Sequence, residues 1–350
     1  MRPPAVVVGV GWVAGLAAIR SLGRAGIPVL AVDHRRSALG FRSRYAEPRL
    51  APERSDREAF VSFLHELGGG VVFPTNDFDL ETLARNQDRL SFQFPFAGWD
   101  VLAAVQDKRR QLAAAAAAGV ETPRTAHEPT DDLGYPVLVK PAEPVAFRDH
   151  FGVKAFRCET RADLERRFAE ARAFDPLIQE WVPGGDDTLY TVGSYLARAG
   201  EALGLFSGRK LAQTPPEIGT ARVAEARWLP DLVDEALRLL RALGVWGVSQ
   251  VEFKRDVRDG RFKLIEVNPR LWEWHGLAAV CGVDLPRIAY LDVIGERPAP
   301  VQMHGEGKRW AITLVRGSRP MFQRPPYVDA MWARDDPKPA LVHWARVLRP

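Results

Sequence analysis

The stretch VEFKRDVRDGRFKLIEVNPRLWEW, which starts at Val251, carries two carboxylates, Glu252 and Glu266, on either side of an Asp259-Gly260 pair. Asn268, Pro269 and Arg270 follow the second acid at once. Asp-Gly between two alternating runs is a hairpin signal. If the loop is Arg258-Asp259-Gly260 with Gly260 left-handed, the pairing places Glu252 directly across from Glu266. Directly opposed Cβ atoms lie about 4.5–5.5 Å apart, and like charges so placed destabilise the ladder. One reading is a solvated sheet face with Lys254 as neutraliser; the other is a site for a hard cation. Glu252, Glu266 and Asn268 are all oxygen donors, which magnesium takes together with phosphate oxygens and water. Asn-Pro-Arg favours the metal, because Pro269 ends the ladder and Arg270 then emerges beside it with a planar fork suited to phosphate. The same alternation puts Leu264 with Glu266 and Asn268 on the acidic face, opposite Gln250, Glu252 and Lys254. Val251, Phe253, Ile265 and Val267 then face a core.

Other side chains extend this chemistry. Lys140 ends the apolar strand PVLVK, a natural place for a phosphate ligand, or is merely an exposed strand terminus. Lys154 follows an irregular segment, AEPVAFRDHFGVK, that could fold over phosphates. DKRRQLAAAAAAGVETPRT reads as a helix capped by Asp107 and stopped by Gly119. Its first turn carries Lys108, Arg109 and Arg110 against the macrodipole, at a cost of about 0.3–1 kcal/mol per charge. Either an anion compensates them or the turn is solvated. In QEWVPGGDD a strand runs into a glycine turn and two acids, Asp186 and Asp187, which would suit a hinge that offers backbone groups to adenine and a carboxylate to ribose. Acids after Gly-Gly are also ordinary turn residues. Arg209 and Lys210 end a strand and are candidates for a substrate carboxylate or a γ-phosphate. Thr75, Asn76 and Asp77 sit at the carboxyl end of an early strand, where open α/β sheets bind ligands. Trp272 and Trp274 either wall a pocket or fill a core. His275 could assist an amine or be a structural neighbour.

The elements that must position these groups are those of an α/β protein. With 350 residues, 46% hydrophobic and 26% charged, the chain suits two or three domains. PAVVVGVGWVAGLAAIRSLGRAGIPVLAVD reads as strand, glycine turn, helix, strand, the opening of a doubly wound parallel sheet. Gly9, Gly11 and Gly15 are spaced more loosely than a dinucleotide fingerprint, so with Asp33 they read as a structural turn before a cofactor site. Boundaries are expected at 1–105, 106–181, 182–298 and 299–350, the last a small tail domain or lid. The net charge of +4 is dispersed, which suits a phosphate-bearing small ligand better than nucleic acid. Two cysteines, Cys158 and Cys281, without metal-ligand spacing, indicate neither disulfides nor zinc. No apolar run is long enough to span a membrane, and a cytoplasmic location is expected. No serine elbow or cysteine-histidine constellation is present.

In order along the chain, DKRR, VLVKP, the Phe147, Phe151 and Lys154 spacing, QEWVPGGDD, GRKL, VEFKRD, EVNPRLW and DDPKPAL resemble the ATP-grasp superfamily. Within it they resemble the carboxylate-amine ligase branch, which includes D-aspartate ligase-like proteins. The resemblance implies an ATP-grasp architecture, with an N-terminal Rossmann-like domain and two α+β lobes that clasp a nucleotide. It implies that Lys108 and Lys140 hold ATP phosphates and that the Glu180 and Val182 backbones, flanking Trp181, meet adenine. Asp186 or Asp187 would meet ribose, and Glu252, Glu266 and Asn268 would ligate magnesium, with manganese as a substitute. Arg270 would steady the transferring phosphoryl group. The implied reaction joins a carboxylate and an amine through an acyl phosphate, an amino acid being the expected kind of substrate. Another carboxylate-activating or phosphotransfer enzyme, or a nucleotide-binding regulator without turnover, is the alternative. Homo-oligomerisation is left open. The superfamily's glycine-rich phosphate loop is replaced here by AEPVAFRDHFGVK.

Overall fold

The computed structural model describes residues 2–142, 144–217, 219–315, 320–323 and 327–348. The first domain is built from β1 (Ala5–Val8), α1 (Val13–Arg24), β2 (Val29–Asp33), β3 (Glu47–Leu50), α2 (Arg57–Glu66), β4 (Gly70–Pro74), α3 (Asp77–Arg85), β5 (Phe92–Gln93) and α4 (Trp99–Gln106). Its strands form a parallel five-stranded sheet in the order β3-β2-β1-β4-β5. AVVV in β1 is apolar throughout because helices cover both faces of a parallel sheet, and all four residues are buried. The β1–α1 turn closes on itself: Thr75 Oγ1 donates to the carbonyls of Val8 and Gly9, at 3.1 and 2.7 Å. The Arg35 guanidinium, whose Nε lies 3.4 Å from Asp33 Oδ1, occupies the space that a Cβ at Gly11 would need.

A smaller lobe follows, made of α5 (Lys108–Ala117), β6 (Thr125–Ala126), β7 (Val137–Lys140), α6 (Pro144–Phe151), β8 (Phe156–Cys158), α7 (Arg161–Ala171) and β9 (Leu177–Glu180). Its sheet has the order β6-β9-β7-β8. Asp107 caps α5 by accepting from Arg109 N and Arg110 N, and Gly119 leaves the helix at φ +65°. Thr160 caps α7 in the same way, accepting from Asp163 N.

The larger lobe comprises β10 (Leu189–Leu196), β11 (Ala202–Thr214), β12 (Thr220–Ala226), α8 (Pro230–Ala242), β13 (Gly247–Arg255), β14 (Phe262–Asn268), α9 (Gly276–Val280) and α10 (Leu285–Val293). The remaining elements are β15 (Val301–Gln302), β16 (Arg309–Ala311), β17 (Tyr327–Asp329) and α11 (Lys338–Val347). Eight strands form one sheet, β14-β13-β10-β11-β12-β16-β17, with β15 beside β11. Residues 299–350, expected as a tail or lid, thus lend strands to this sheet. Arg20 of α1 also donates to Asp336 Oδ2 at 2.9 Å, both side chains being buried, and so ties this segment to the first domain.

The two faces of the large sheet have different fates. On one, α8 lays Leu232, Val233, Ala236, Leu237, Leu239 and Leu240 against Val192, Val251, Phe253 and Val267. Each such buried aliphatic side chain is worth about 1.5–3 kcal/mol. The opposite face is apolar only in part. There Phe206, Trp272 and Trp274 pack edge-on or tilted against one another, and the same core runs on into α1 of the first domain. The rest of that face bears the acids.

Candidate functional site

β13 and β14 place Glu252 directly opposite Glu266, with Gln250 opposite Asn268. Gly260 is left-handed at φ +76°, as the loop requires. The register then slips by one residue: Phe253 pairs with Leu264, and Ile265 is the extra residue of a β-bulge. The bulge corrects the simple alternation, because Leu264 turns from the acidic face into the α8 core, where it is 4% exposed.

The opposed acids are neutralised from two directions. Lys210 Nζ lies 2.9 Å from Glu252 Oε1 on the same sheet, and Lys108 Nζ, from the first turn of α5, lies 4.0 Å from Glu266 Oε1. Burial disfavours the charge of Glu266, but Lys108 and Lys154 outweigh it and its pKa lies below the ordinary value. The basic first turn of α5 is therefore compensated by acids: Lys108 by Glu266, and Arg109 by a two-pronged contact to Asp175. Gln250 Nε2 bridges Thr191 Oγ1 and Glu252 Oε1, at 3.1 and 2.9 Å, and so fixes the acid's rotamer. Asn268 Nδ2 faces Gln250 Oε1 at 3.2 Å and Glu266 Oε2 at 3.4 Å.

Arg270 leaves the strand behind Pro269 and meets Asp77 of the first domain with both prongs of its fork, Nε–Oδ1 at 2.5 Å and Nη2–Oδ2 at 3.0 Å. Nη2 also reaches Asn268 Oδ1 at 3.3 Å. Asp77 is thus a partner of the arginine. Asn76 is held as the cap of α3, accepting from Asp79 N, and Thr75 is spent on the β1–α1 turn.

Across the cleft, the small lobe offers Lys140 at the end of β7, where Nζ donates to Gln179 Oε1 at 2.7 Å. Burial, and then the neighbouring Lys108, lower its pKa to about 8. Lys140, Gln179, Lys108 and Ile265 line one small cleft between the lobes. Lys154 is exposed, and its charge is felt by both Lys140 and Glu266. At the hinge, Val182 is buried, and the Trp181 ring lies under Arg157 at 4.4 Å and Lys254 at 4.8 Å.

Several expected ligands are committed elsewhere. The Glu180 carboxylate accepts from Arg124 N, Arg124 Nε, Arg258 Nη2 and Lys263 Nζ, which leaves only its backbone for a ligand. Burial raises its pKa, yet these donors bring it down to about 2. Asp186 is consumed by Gln213 N, Gln213 Nε2 and Glu217 N, at 2.7, 2.8 and 2.8 Å, whereas Asp187 is exposed and has no hydrogen bond among the described residues. Arg209 is corrected outright. Consecutive strand residues face opposite ways, so Lys210 points to Glu252 while Arg209 pairs with Glu225 on the other face. Trp272, 2% exposed, is core beneath the site and not its wall. His275, also buried, donates from Nε2 to Ala14 O and is held neutral by burial, with a pKa of about 4. Gln179 was not singled out in the sequence, and Gln250 was placed on the acidic face but given no role. The pairing of β9 with the strand that ends in Lys140 is the signal that would have found Gln179.

The donor set fits magnesium. Among the described residues no cluster of three or more His, Cys, Asp or Glu could hold a metal by itself. Two carboxylates and an amide oxygen suit an ion whose remaining ligands are phosphate oxygens and water.

Residues 221–291, from β12 through the acids to α10, match the family described as carbamoyl-phosphate synthase L chain, ATP binding domain. Carbamoyl phosphate synthase large chain of Gemmatimonas aurantiaca is 29% identical over 224 residues, 58% of this chain and 19% of that one. D-aspartate ligase of Enterococcus faecium is 24% identical over 192 residues, 52% of this chain and 46% of that one. The chain therefore spans less than half the length of either relative. Among solved structures, the biotin carboxylase domain of Hydrogenobacter thermophilus 2-oxoglutarate carboxylase, in complex with MgADP, ADP and bicarbonate, superposes with a TM-score of 0.69 at 19% identity, over 86% of this chain and 72% of that one. The fold is that of the ATP-grasp enzymes. Its two lobes are the jaws of the ATP-grasp fold, and the opposed acids lie on the larger jaw. Among the described residues no helix is long and apolar enough to cross a membrane.

Proposed function

We propose that this ATP-grasp protein is an ATP-dependent carboxylate-amine ligase that works through an acyl phosphate and releases ADP and phosphate. The observation that carries the reading is the register of Glu252 opposite Glu266, with Lys108 and Lys140 presented to that pair from the other lobe. Two acids that repel each other across a ladder are tolerated where cations approach them from a facing surface.

In this reading Glu252, Glu266 and Asn268 bind magnesium, which when present would draw the ATP phosphates together and neutralise charge that builds up as the γ-phosphoryl moves. Lys140 and Lys108 bind phosphate oxygens. The Glu180 and Val182 backbones hold adenine, and Asp187, not Asp186, is the carboxylate left for ribose. Lys210, buried beside Glu252, orients that acid and adds positive charge near the reacting carboxylate. Arg270, preset by Asp77, stabilises the charge on the transferring group. No enzyme nucleophile is needed: a substrate carboxylate attacks the γ-phosphorus, and an amine then displaces phosphate from the acyl carbon. The chain contributes positioning and charge neutralisation. The substrates proposed are small carboxylic acids and amines, amino acids among them.

The test is a coupled ADP-release assay with ATP and magnesium across a panel of amino acids, carboxylic acids and bicarbonate, each with and without a second amino acid. Acid-dependent ADP release that an amine accelerates is the expected result. Nucleotide binding without ADP release for every acid would refute the proposal.

A further inference from the structure

Beyond the acids and lysines, one carboxylate stands apart. Glu273 lies in the loop between β14 and α9, three positions past Arg270. Its Oε1 accepts from Trp12 Nε1 at 2.6 Å, so the N-terminal domain's first turn reaches over to grip it. Trp12 is itself braced by His343 of α11, ring centroids 5.6 Å apart. Oε2 of Glu273 is buried and has no hydrogen bond of normal geometry among the described residues, although the Thr220 hydroxyl faces it. A buried carboxylate oxygen so poorly satisfied is costly, and a catalytic role is one explanation for its retention.

The surroundings say which role. Thr220 and Arg222 of β12 lie on the same sheet face as Lys210, and Lys210, Lys154 and Arg222 are the charged groups whose fields Glu273 feels. Arg222 is committed to Ile312 O, at 3.1 and 2.9 Å, and Lys210 to Glu252. Both cations therefore border the carboxylate while bonding elsewhere. One oxygen is fixed by an indole, and the other is buried on the side of Thr220, whose strand also carries Arg222. That geometry suits a cationic nitrogen donor brought in by a substrate. Burial also pushes the pKa of Glu273 above the ordinary carboxylate range, against the hydrogen bond from Trp12, which makes it a better proton acceptor.

We propose that Glu273 is the ammonium anchor and proton acceptor for the amine substrate, an inference that rests on the ligase reading. One proton of the ammonium passes to Glu273 Oε2, and the freed lone pair forms the bond to the acyl carbon. The acyl carbon–oxygen bond breaks, its electron pair leaves with phosphate, and the second proton shed by nitrogen goes to that phosphate. Glu273 acts only in this half of the reaction. Formation of the acyl phosphate proceeds without it.

The test separates the halves with hydroxylamine, which is unprotonated at neutral pH and traps acyl phosphates as hydroxamates without a base. For each acid that triggers ADP release, E273Q is compared with wild type using hydroxylamine and a panel of amino acids as acceptors. Amide formation with amino acids is expected to fall by about 100-fold, the usual scale for a lost general base, while hydroxamate formation changes little. Equal losses in both assays, or no loss in either, would overturn the assignment. W12F supplies the second arm. If the carboxylate served only to anchor Trp12, W12F and E273A would do the same damage, and E273Q, which keeps an oxygen for the indole, would do none; that pattern also overturns it. Absence of hydroxamate in wild type with every acid would instead remove the ligase reading, and this inference with it.

Discussion

Glu266→Gln isolates the role of the opposed acids, because it removes one negative charge and keeps the side chain's length and an oxygen. Unit charges about 4 Å apart at an effective dielectric of about 20 interact by about 4 kcal/mol, and a dication doubles this to about 8 kcal/mol. The amide retains a dipole toward the ion, and the carboxylate's own desolvation is no longer incurred. Allowing these to return more than half leaves about 3 kcal/mol, or about two decades in rate. Without metal the balance is different. The substituted amide no longer repels Glu252 across the ladder, and it no longer attracts Lys108, which lies 4.0 Å from the native acid, so gain and loss offset. Turnover, followed as ADP release across a magnesium titration, should fall by about 100-fold while the metal-free melting temperature stays within about 3 °C of wild type. Turnover within about threefold of wild type would refute the metal assignment. A melting temperature lower by about 8 °C or more would show that Glu266 serves the fold instead.

Lys140, with a pKa of about 8 in the folded chain against 10.5 for a free lysine, carries its charge below pH 8 and loses it above. Nucleotide affinity should therefore weaken as pH rises through about 8, and Lys140→Met should bind nucleotide weakly with that pH dependence flattened, as read by isothermal titration. The linkage has the same origin: burial of Lys140 burdens the folded state below its pKa and is relieved as pH climbs toward 10.5. Gly193→Ala tests the floor of the site. A Cβ there would meet Trp272 with Cζ2 at 2.7 Å and Cζ3 at 2.9 Å, and Trp272 cannot retreat because Phe206 and Trp274 pack behind it. A loss of about 1–3 kcal/mol in urea denaturation is expected for such overpacking, with a drop in turnover because Arg270 lies two residues away; unchanged stability would mean that the tryptophan has room to move.

How much of this was legible depended on how local each cause is. The hairpin could be read because Asp259-Gly260 marks its turn, but the opposition of the acids rests on the bulge as well. Beside the turn Lys254 pairs with Lys263 and Phe253 with Leu264, a register that would set Glu252 against Ile265, and the extra residue brings Glu266 opposite instead. The bulge at Ile265 could not be read, since an unpaired residue leaves no compositional mark, and Leu264 changed faces with it. Arg209 was a misreading that the sequence itself could have prevented, because neighbours on a strand cannot share a face. The commitment of Asp186 to Gln213 and Glu217 arises from a chain segment far along the sequence, and no local pattern announces it. The choice between wall and core for Trp272 was a packing question, settled by Phe206 and Trp274. β16 and β17 have three residues each, too few for any periodicity to show.

The cluster around Glu180 has a mechanical consequence. Glu180 ends the last strand of the small lobe, whereas Arg258 and Lys263, which grip it together with Asp256, flank the turn of the hairpin that carries the acids. The smaller jaw is riveted at its root to the hairpin of the larger one. Any swing of the jaw must pivot about that rivet, so the span from hinge to acids stays constant while Lys140 and Lys154 sweep toward or away from them.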